Sequence, residues 1–169
     1  IGPYDPTDRF TYWPVRIAAG GEFVAPVSAQ LPIQVIDARD LALWVIACLE
    51  NRVTGAFNVT GETITFGEVL NDCQAVTQND AQPHWLPESY LVQQAVRPWV
   101  DLPLWLPDSA RAMLQVDTQA ARQHGLENRP MRSSIADILK ASPRTWDELK
   151  AGLKRDRESI LLRDFNAGK

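Results

Sequence analysis

Apolar residues along this chain recur in two rhythms that take turns, short β-branched runs and longer stretches with apolar positions three or four residues apart. Gly2-Pro3-Tyr4-Asp5-Pro6 is a turn-rich opening behind Ile1, which reads as the last residue of a strand. Asp5 or Thr7 can then cap a helix that runs to Ala19 and stops at Gly20-Gly21. Glu22 to Val27 and Leu31 to Asp37 predict short strands. Asp37 is placed to cap a helix over 38–51 whose apolar stripe is Leu41, Val45, Cys48 and Leu49. Gly55 to Thr60 predicts another strand. Thr65-x-x-Glu68 is a capping box opening a helix with Val69, Leu70, Cys73 and Val76. Alternating strand and helix of this kind predicts an α/β layer architecture.

The rhythm breaks between Gln82 and Pro107, where five prolines interleave with Trp85, Trp99 and Trp105. Proline removes a backbone donor and fixes φ, so the segment leaves room for one short helix near Glu88 to Val96. Its tryptophans either line a ligand pocket or pin a loop to the core, and the sequence supports both. Met113 to Asp117 then reads as a strand, leading into a short helix capped by Asp117 or Thr118 and ending at Gly125. Ser133 or Ser134 starts a further helix to about Ala141. A second capping box, Thr145-x-x-Glu148, is expected to open a long charged helix to about Asp164, a solvated face laced with ion pairs.

Composition narrows the function classes. A formal charge of −4 over 169 residues, with both signs interspersed, provides no basic stripe, so nucleic acid is not an expected partner. No apolar run approaches a membrane span, which predicts a soluble protein with no membrane partner. The two cysteines, Cys48 and Cys73, lie in apolar helical patterns and imply reduced core thiols in a cytoplasmic protein, with a disulfide as the alternative. The absence of a signal peptide and of an initial Met predicts a chain that starts mid-protein.

Motifs for cofactor or nucleophile chemistry are sparse. There is no G-x-G-x-x-G or G-x-x-G-x-x-G, and no Gly-Lys-Ser/Thr. A Tyr-x-x-x-Lys base is missing too, because Tyr4, Tyr12 and Tyr90 are followed at that spacing by Asp8, Arg16 and Gln94. Tyr12 with Arg16 comes nearest and reads as a helix-surface pair. His84 and His124 have no Cys, Asp or Glu at ligand spacing, so no metal site is expected. His84, beside Trp85, is a candidate donor to a bound polar group, although a structural role is the simpler reading. Asp5, Asp8 and Arg9 form a polar cluster that either recognises substrate or caps the first helix.

Three blocks, Ile1-Gly2-Pro3-Tyr4-Asp5-Pro6, Val35-Ile36-Asp37-Ala38-Arg39-Asp40-Leu41-Ala42 and Gly55-Ala56-Phe57-Asn58-Val59-Thr60-Gly61, occur in that order. In order and spacing they resemble the second half of the extended short-chain dehydrogenase/reductases, the NAD-dependent epimerase/dehydratase family. The resemblance covers Ile1 to about Val76 well and extends more loosely to Gly125. It implies the carboxy-terminal part of an NAD(P)-binding Rossmann-fold protein, with short strands alternating with helices and a smaller substrate-binding lobe. Residues 1–62 would form the junction of the two lobes, 63–132 the substrate lobe, and 133–169 a helical tail.

The same resemblance implies roles for residues. Gly2, Pro3 and Tyr4 would lie along the nicotinamide of NAD or NADP. Arg9 and Tyr12 would face the substrate cleft, and from the residues alone, without the resemblance, His84 and Trp85 of the Pro/Trp segment are further substrate-binding candidates. Asp37, Arg39 and Asp40 would serve mainly as a structural cap at the lobe junction. The family's glycine-rich loop, its catalytic Ser or Thr and its Tyr-x-x-x-Lys pair belong upstream, so no catalytic residue is expected in this segment.

Two expectations follow. One is the substrate-binding half of an oxidoreductase or epimerase acting on a small carbonyl or hydroxyl substrate, sugar-nucleotide-like molecules included. That half would be inactive alone and partnered by the missing amino-terminal Rossmann lobe, with a homodimer left open, and it predicts open sheet edges and an exposed apolar face. The other is a non-catalytic ligand-binding or interaction protein on the same fold, which predicts a self-sufficient core. A free-standing module with the Trp-rich segment as a lid is a third, weaker variant.

Overall fold

The computed structural model describes residues 1–141 and 143–168. In order the chain forms α1 (Tyr12–Ala18), β1 (Glu22–Pro26), β2 (Pro32–Ile33), α2 (Ala38–Glu50), β3 (Ile64–Thr65), α3 (Phe66–Thr77), β4 (Gln82–Leu86), α4 (Glu88–Gln93), α5 (Gln119–Gln123), α6 (Met131–Ala141) and α7 (Arg155–Ala167). Two 3₁₀ segments, Asp108–Leu114 and Trp146–Glu148, lie among the later helices. β1 pairs in parallel with β4, Val24 opposite His84, and β2 pairs antiparallel with β3. The architecture is mixed α/β with a small sheet. No described helix is long and apolar enough to cross a membrane.

The main core lies where α1, α3 and α6 pack together and against the β1/β4 pair. Trp13 anchors it, meeting Phe66 edge-on with ring centroids 4.8 Å apart and donating from Nε1 to Pro103 O at 3.0 Å. β1 is buried from Phe23 to Pro26, as a parallel strand covered on both faces must be. α3 opens as expected, Thr65 accepting from the Glu68 amide while Glu68 caps the Thr65 amide in return. Cys73 is buried on that helix and Cys48 half-buried on α2, and both are free thiols.

Several elements depart from the sequence reading. The first helix begins only at Tyr12, because Tyr4 and Asp8 take left-handed φ values that keep the opening loop non-helical. The second strand shrinks to Pro32–Ile33, and 55–60 forms no paired strand. The Pro/Trp segment holds β4, which was not foreseen; Pro83 is tolerated because β4 is an edge strand with β1 as its sole strand neighbour. Its loop is pinned through Trp105, which is fully buried with Leu102. The strand expected over 113–117 is replaced by the end of the first 3₁₀ segment. α6 starts at Met131, directly after Pro130. The second capping box forms but opens only the short turn at Trp146, and α7 begins at Arg155 after Gly152 turns with φ +95°.

Tyr12 and Arg16 are not a surface pair. Tyr12 is completely buried, and its ring lies so close over Gly152 that a Cβ there would sit 1.9 Å from it. Arg16 is also buried, its Nε 2.8 Å from Glu158 Oε2 on α7, with further bonds to Gly20 O and Glu22 O. Its guanidinium stacks 4.2 Å from the Trp146 ring, and the other Glu158 oxygen accepts from Val24 N at 3.2 Å. The terminal helix is therefore no purely solvated face, because one ion pair ties it to α1 and β1.

α2 shows the largest departure. Its buried side is Asp40 and Trp44, the latter packed with Ala121 and Leu126 in a second small core. The expected stripe of Leu41, Val45 and Leu49 points outward, with Leu43 and Ile46 exposed as well and Leu49 74% exposed. At about 100° per residue, Leu41, Ala42, Val45, Ile46 and Leu49 fall within an arc of about 140°. An apolar helix face of that width normally packs on something.

Candidate functional site

Residues 34–37 sit between two other segments. Ile1 donates its backbone N to Ile36 O at 2.7 Å and accepts from Ala38 N at 2.8 Å, the bonding of a parallel strand pair. On the opposite side Gly61 N donates to Val35 O at 3.1 Å. A side chain at Gly61 would collide with that carbonyl, a Cβ lying 2.1 Å from Val35 O. The chain leaving Ile1 therefore enters its turn at a fixed place, over the start of α2.

That turn forms one wall of a cleft of about 480 Å³, lined by Gly2, Pro3, Tyr4, Arg9, Phe10, Gln34, Thr60, Trp99 and Leu104 among others. Gly2 has φ +136°, and its missing Cβ leaves room for the Asp37 carboxylate, 3.3 Å from where that atom would stand. Tyr4 projects at 79% exposure with φ 65°, an aromatic ring held at the mouth by a strained backbone. Asp5 is used within the loop, accepting from Thr7 N at 2.9 Å and Thr7 Oγ1 at 2.7 Å. Asp8 is buried, paired with Arg144 and accepting from Lys150 N at 2.9 Å. Arg9 is half-buried, and its guanidinium has no hydrogen bond or ion pair among the described residues. The cluster of Asp5, Asp8 and Arg9 thus separates into two structural carboxylates and one uncommitted cation.

Of the candidate site residues, Gly2, Pro3, Tyr4 and Arg9 share this cleft. Tyr12 does not: the expectation that it faces substrate is corrected by its complete burial, which also pushes its phenol well above the ordinary range. Its hydroxyl lies near the Leu153 backbone without hydrogen-bond geometry. His84 and Trp85 are on β4 and do not line the cleft. His84 Nε2 lies 3.1 Å from Glu22 Oε1, and the Trp85 ring is 6.4 Å from Phe66. Trp99 lines the cleft as the pocket reading of the tryptophans allowed, and Leu104 is a cleft residue that the sequence reading had not singled out. Only the alternation of Pro and Trp hinted at them.

Beside the cleft lies a polar knot. Asp37 caps α2 by accepting from Arg39 N at 2.9 Å, pairs with Arg39 Nη2 at 2.7 Å and accepts from Ser134 Oγ at 2.7 Å. Asp40 holds Arg129 through Nε at 2.7 Å and the backbone N at 2.9 Å. Burial alone would raise the Asp37 carboxyl, but the bonds from Arg39 and Ser134 outweigh it and hold the group well below its usual range. With every carboxylate matched, this knot joins α2 to α6.

A pH dependence follows. Because the folded pKa of Asp37 lies below its unfolded value, its stabilisation is complete at neutral pH and is lost as pH falls from about 4 through the folded value. Asp37→Asn is expected to destabilise by about 1–2 kcal/mol at pH 7 through the weakened cap and lost ion pairs. In urea titrations across pH the gap between variant and parent narrows below pH 4; a gap independent of pH contradicts this account.

No group of three or more His, Cys, Asp or Glu able to hold a metal ion occurs among the described residues. A nicotinamide at this cleft would meet only the backbone of Gly2 and Pro3 and the Tyr4 ring from this chain. That is one wall, because a pyrophosphate needs a glycine-rich turn at a helix N-terminus, and this sequence has none.

No protein-family profile matches the chain, and no curated protein matches it. Solved structures do. The structure of RMD from Pseudomonas aeruginosa complexed with NADPH matches with a TM-score of 0.55 and 12% identity, over 87% of this chain and 44% of that one. The crystal structure of gox2253 matches with a TM-score of 0.55 and 15% identity, over 83% of this chain and 46% of that one. At such identities the likeness shows a shared fold. The chain spans a little under half the length of each of these structures.

Proposed function

We propose that this chain is the substrate-binding half of an NAD(P)-dependent oxidoreductase of the epimerase/dehydratase type, completed by an amino-terminal Rossmann lobe. The observation that carries this reading is the uncovered apolar face of α2, in a chain whose fold matches less than half of a protein complexed with NADPH. A self-sufficient binding protein would cover Leu41, Val45, Ile46 and Leu49, because contiguous apolar surface of that kind marks an interface. The parallel bonding of Ile1 beside Ile36 and Ala38 is where the sheet of that lobe would continue.

In this reading a nicotinamide coenzyme would supply hydride chemistry at a substrate carbon, with the proton handled from the other lobe. This half shapes the substrate side of the cleft. Gly2, Pro3 and Tyr4 border the nicotinamide, Phe10, Trp99 and Leu104 exclude water, and Arg9 faces the substrate. The substrate is a small carbonyl or hydroxyl compound. The test is turnover: the longer polypeptide, given NADH or NADPH with a panel of aldehydes and ketones, or the oxidised coenzymes with the matching alcohols, changes the reduced-nicotinamide absorbance, or with catalytic coenzyme epimerises or dehydrates a hydroxyl substrate as read by NMR, while the isolated chain does neither. Failure of the longer polypeptide on both coenzymes, with a folded spectrum, would falsify the assignment.

A further inference from the structure

We propose that Arg9 receives a carboxylate or phosphate group of the substrate, and that Phe10, Trp99 and Leu104 take its apolar portion. The proposal names the substrate class for the cleft described above, and so rests on the oxidoreductase reading for its setting. The argument begins with how this molecule treats its arginines. Arg16, Arg39, Arg97, Arg111, Arg122, Arg129, Arg132, Arg144, Arg155, Arg157 and Arg163 each donate to a carboxylate or a backbone carbonyl. Arg52 and Arg9 are the exceptions among the described residues. Arg52 is exposed just past the end of α2, where water satisfies it. Arg9 is half-buried in a cleft wall.

A guanidinium partly removed from water gives up hydration, and this one recovers none of it from the protein. Its five donors in a planar fork match the two oxygens of a carboxylate or phosphate. The neighbouring carboxylates do not compete. Asp8 is turned into the core onto Arg144, and Asp5 is occupied by Thr7. The backbone that carries it is braced by the Asp5 turn and the Asp8 anchor just before it, and Arg9 N itself donates to Thr7 Oγ1 at 3.4 Å. Phe10 and Leu104, members of the main core, and the half-buried Trp99 line the same cleft. One unpaired cation beside an apolar wall selects a ligand with an anionic end and a hydrocarbon or aromatic body.

The experiment uses the longer polypeptide saturated with oxidised coenzyme, and four probes of matched shape: benzoate, phenyl phosphate, benzamide and benzyl alcohol. Affinities are read by titration calorimetry or ligand-observed NMR. The anions are expected to bind at least about tenfold more tightly than the neutral probes, a difference of about 1.4 kcal/mol. The tighter of benzoate and phenyl phosphate identifies the anion. Arg9→Gln removes the preference, Arg9→Lys restores part of it, and Arg52→Gln leaves it unchanged.

Equal binding of charged and neutral probes overturns the proposal. So does a preference that survives Arg9→Gln. A third contrary result is Arg9→Gln lowering the melting temperature of the longer polypeptide without changing probe binding, which would mean that Arg9 pairs with the other lobe. Titration of the same samples with NADH and with NADPH separates the two ideas: Arg9-dependent anion binding without binding of either coenzyme overturns the coenzyme reading alone.

Discussion

Arg16→Met lowers the unfolding free energy by about 3–5 kcal/mol, because it leaves Glu158 as a buried carboxylate with no cation bonded to it, only the more distant Arg155. Glu158 is 2% exposed, and burial already pushes its carboxyl upward, with Arg16 the main opposing influence. The loss has a pH signature. A carboxyl whose folded pKa is raised is destabilising above that value and neutral in effect below the unfolded one, so the variant recovers part of its deficit in acid. Replacing both partners, Arg16→Met with Glu158→Leu, restores most of the stability, since two apolar side chains need no pairing. Part of the deficit persists even then, because Val24 N loses its acceptor and Gly20 O and Glu22 O lose their donor. Urea titrations of the parent and the two variants measure this. A cost below about 1 kcal/mol for Arg16→Met, the range of an exposed pair, would contradict the described burial.

The second large effect concerns α2 and depends on what accompanies it. In the longer polypeptide, Ile46→Asp with Leu49→Asp is expected to cost about 3–6 kcal/mol, the value of two buried aliphatic side chains. In the isolated chain the same pair changes stability by no more than about 0.5 kcal/mol, since both positions already face water. It also reduces binding of an apolar fluorophore there. Equal effects in the two contexts would show that this face is not an interface.

How far the sequence foretold these features depends on the distance over which each is decided. Thr65-x-x-Glu68 and Asp37 are local caps whose partners lie within three residues, and both formed. Thr145-x-x-Glu148 closed its box equally well, yet the helix failed to follow, because Gly152 is needed in a left-handed turn under Tyr12. Periodicity marked Leu41, Val45 and Leu49 as one apolar face correctly. It could not say whether this chain covers that face, and helix burial is decided by neighbours.

β4 was hidden by Pro83, which argues against a central strand but not against an edge. The partners Arg16 and Glu158 are 142 residues apart, so no spacing rule could join them. In the cleft, the order of the sequence blocks placed Gly2, Pro3, Tyr4 and Arg9 together. Trp99 and Leu104 arrive through tertiary folding of a proline-rich loop that carries no periodic signal. Tyr12 was misplaced because an aromatic in a helix pattern shows the same spacing whether it faces a cleft or the core.

The most direct test of the central claim is a fluorescence titration of NADH and NADPH into the longer polypeptide and into this chain alone, with the native mass measured on the same samples. The account predicts a natural protein about twice this length, in keeping with the 44% and 46% of the matched structures that the chain spans, binding one of the two coenzymes. This chain alone binds neither. A natural protein that ends where this chain ends, and is monomeric and free of coenzyme, would contradict it and make the cleft that of a binding protein.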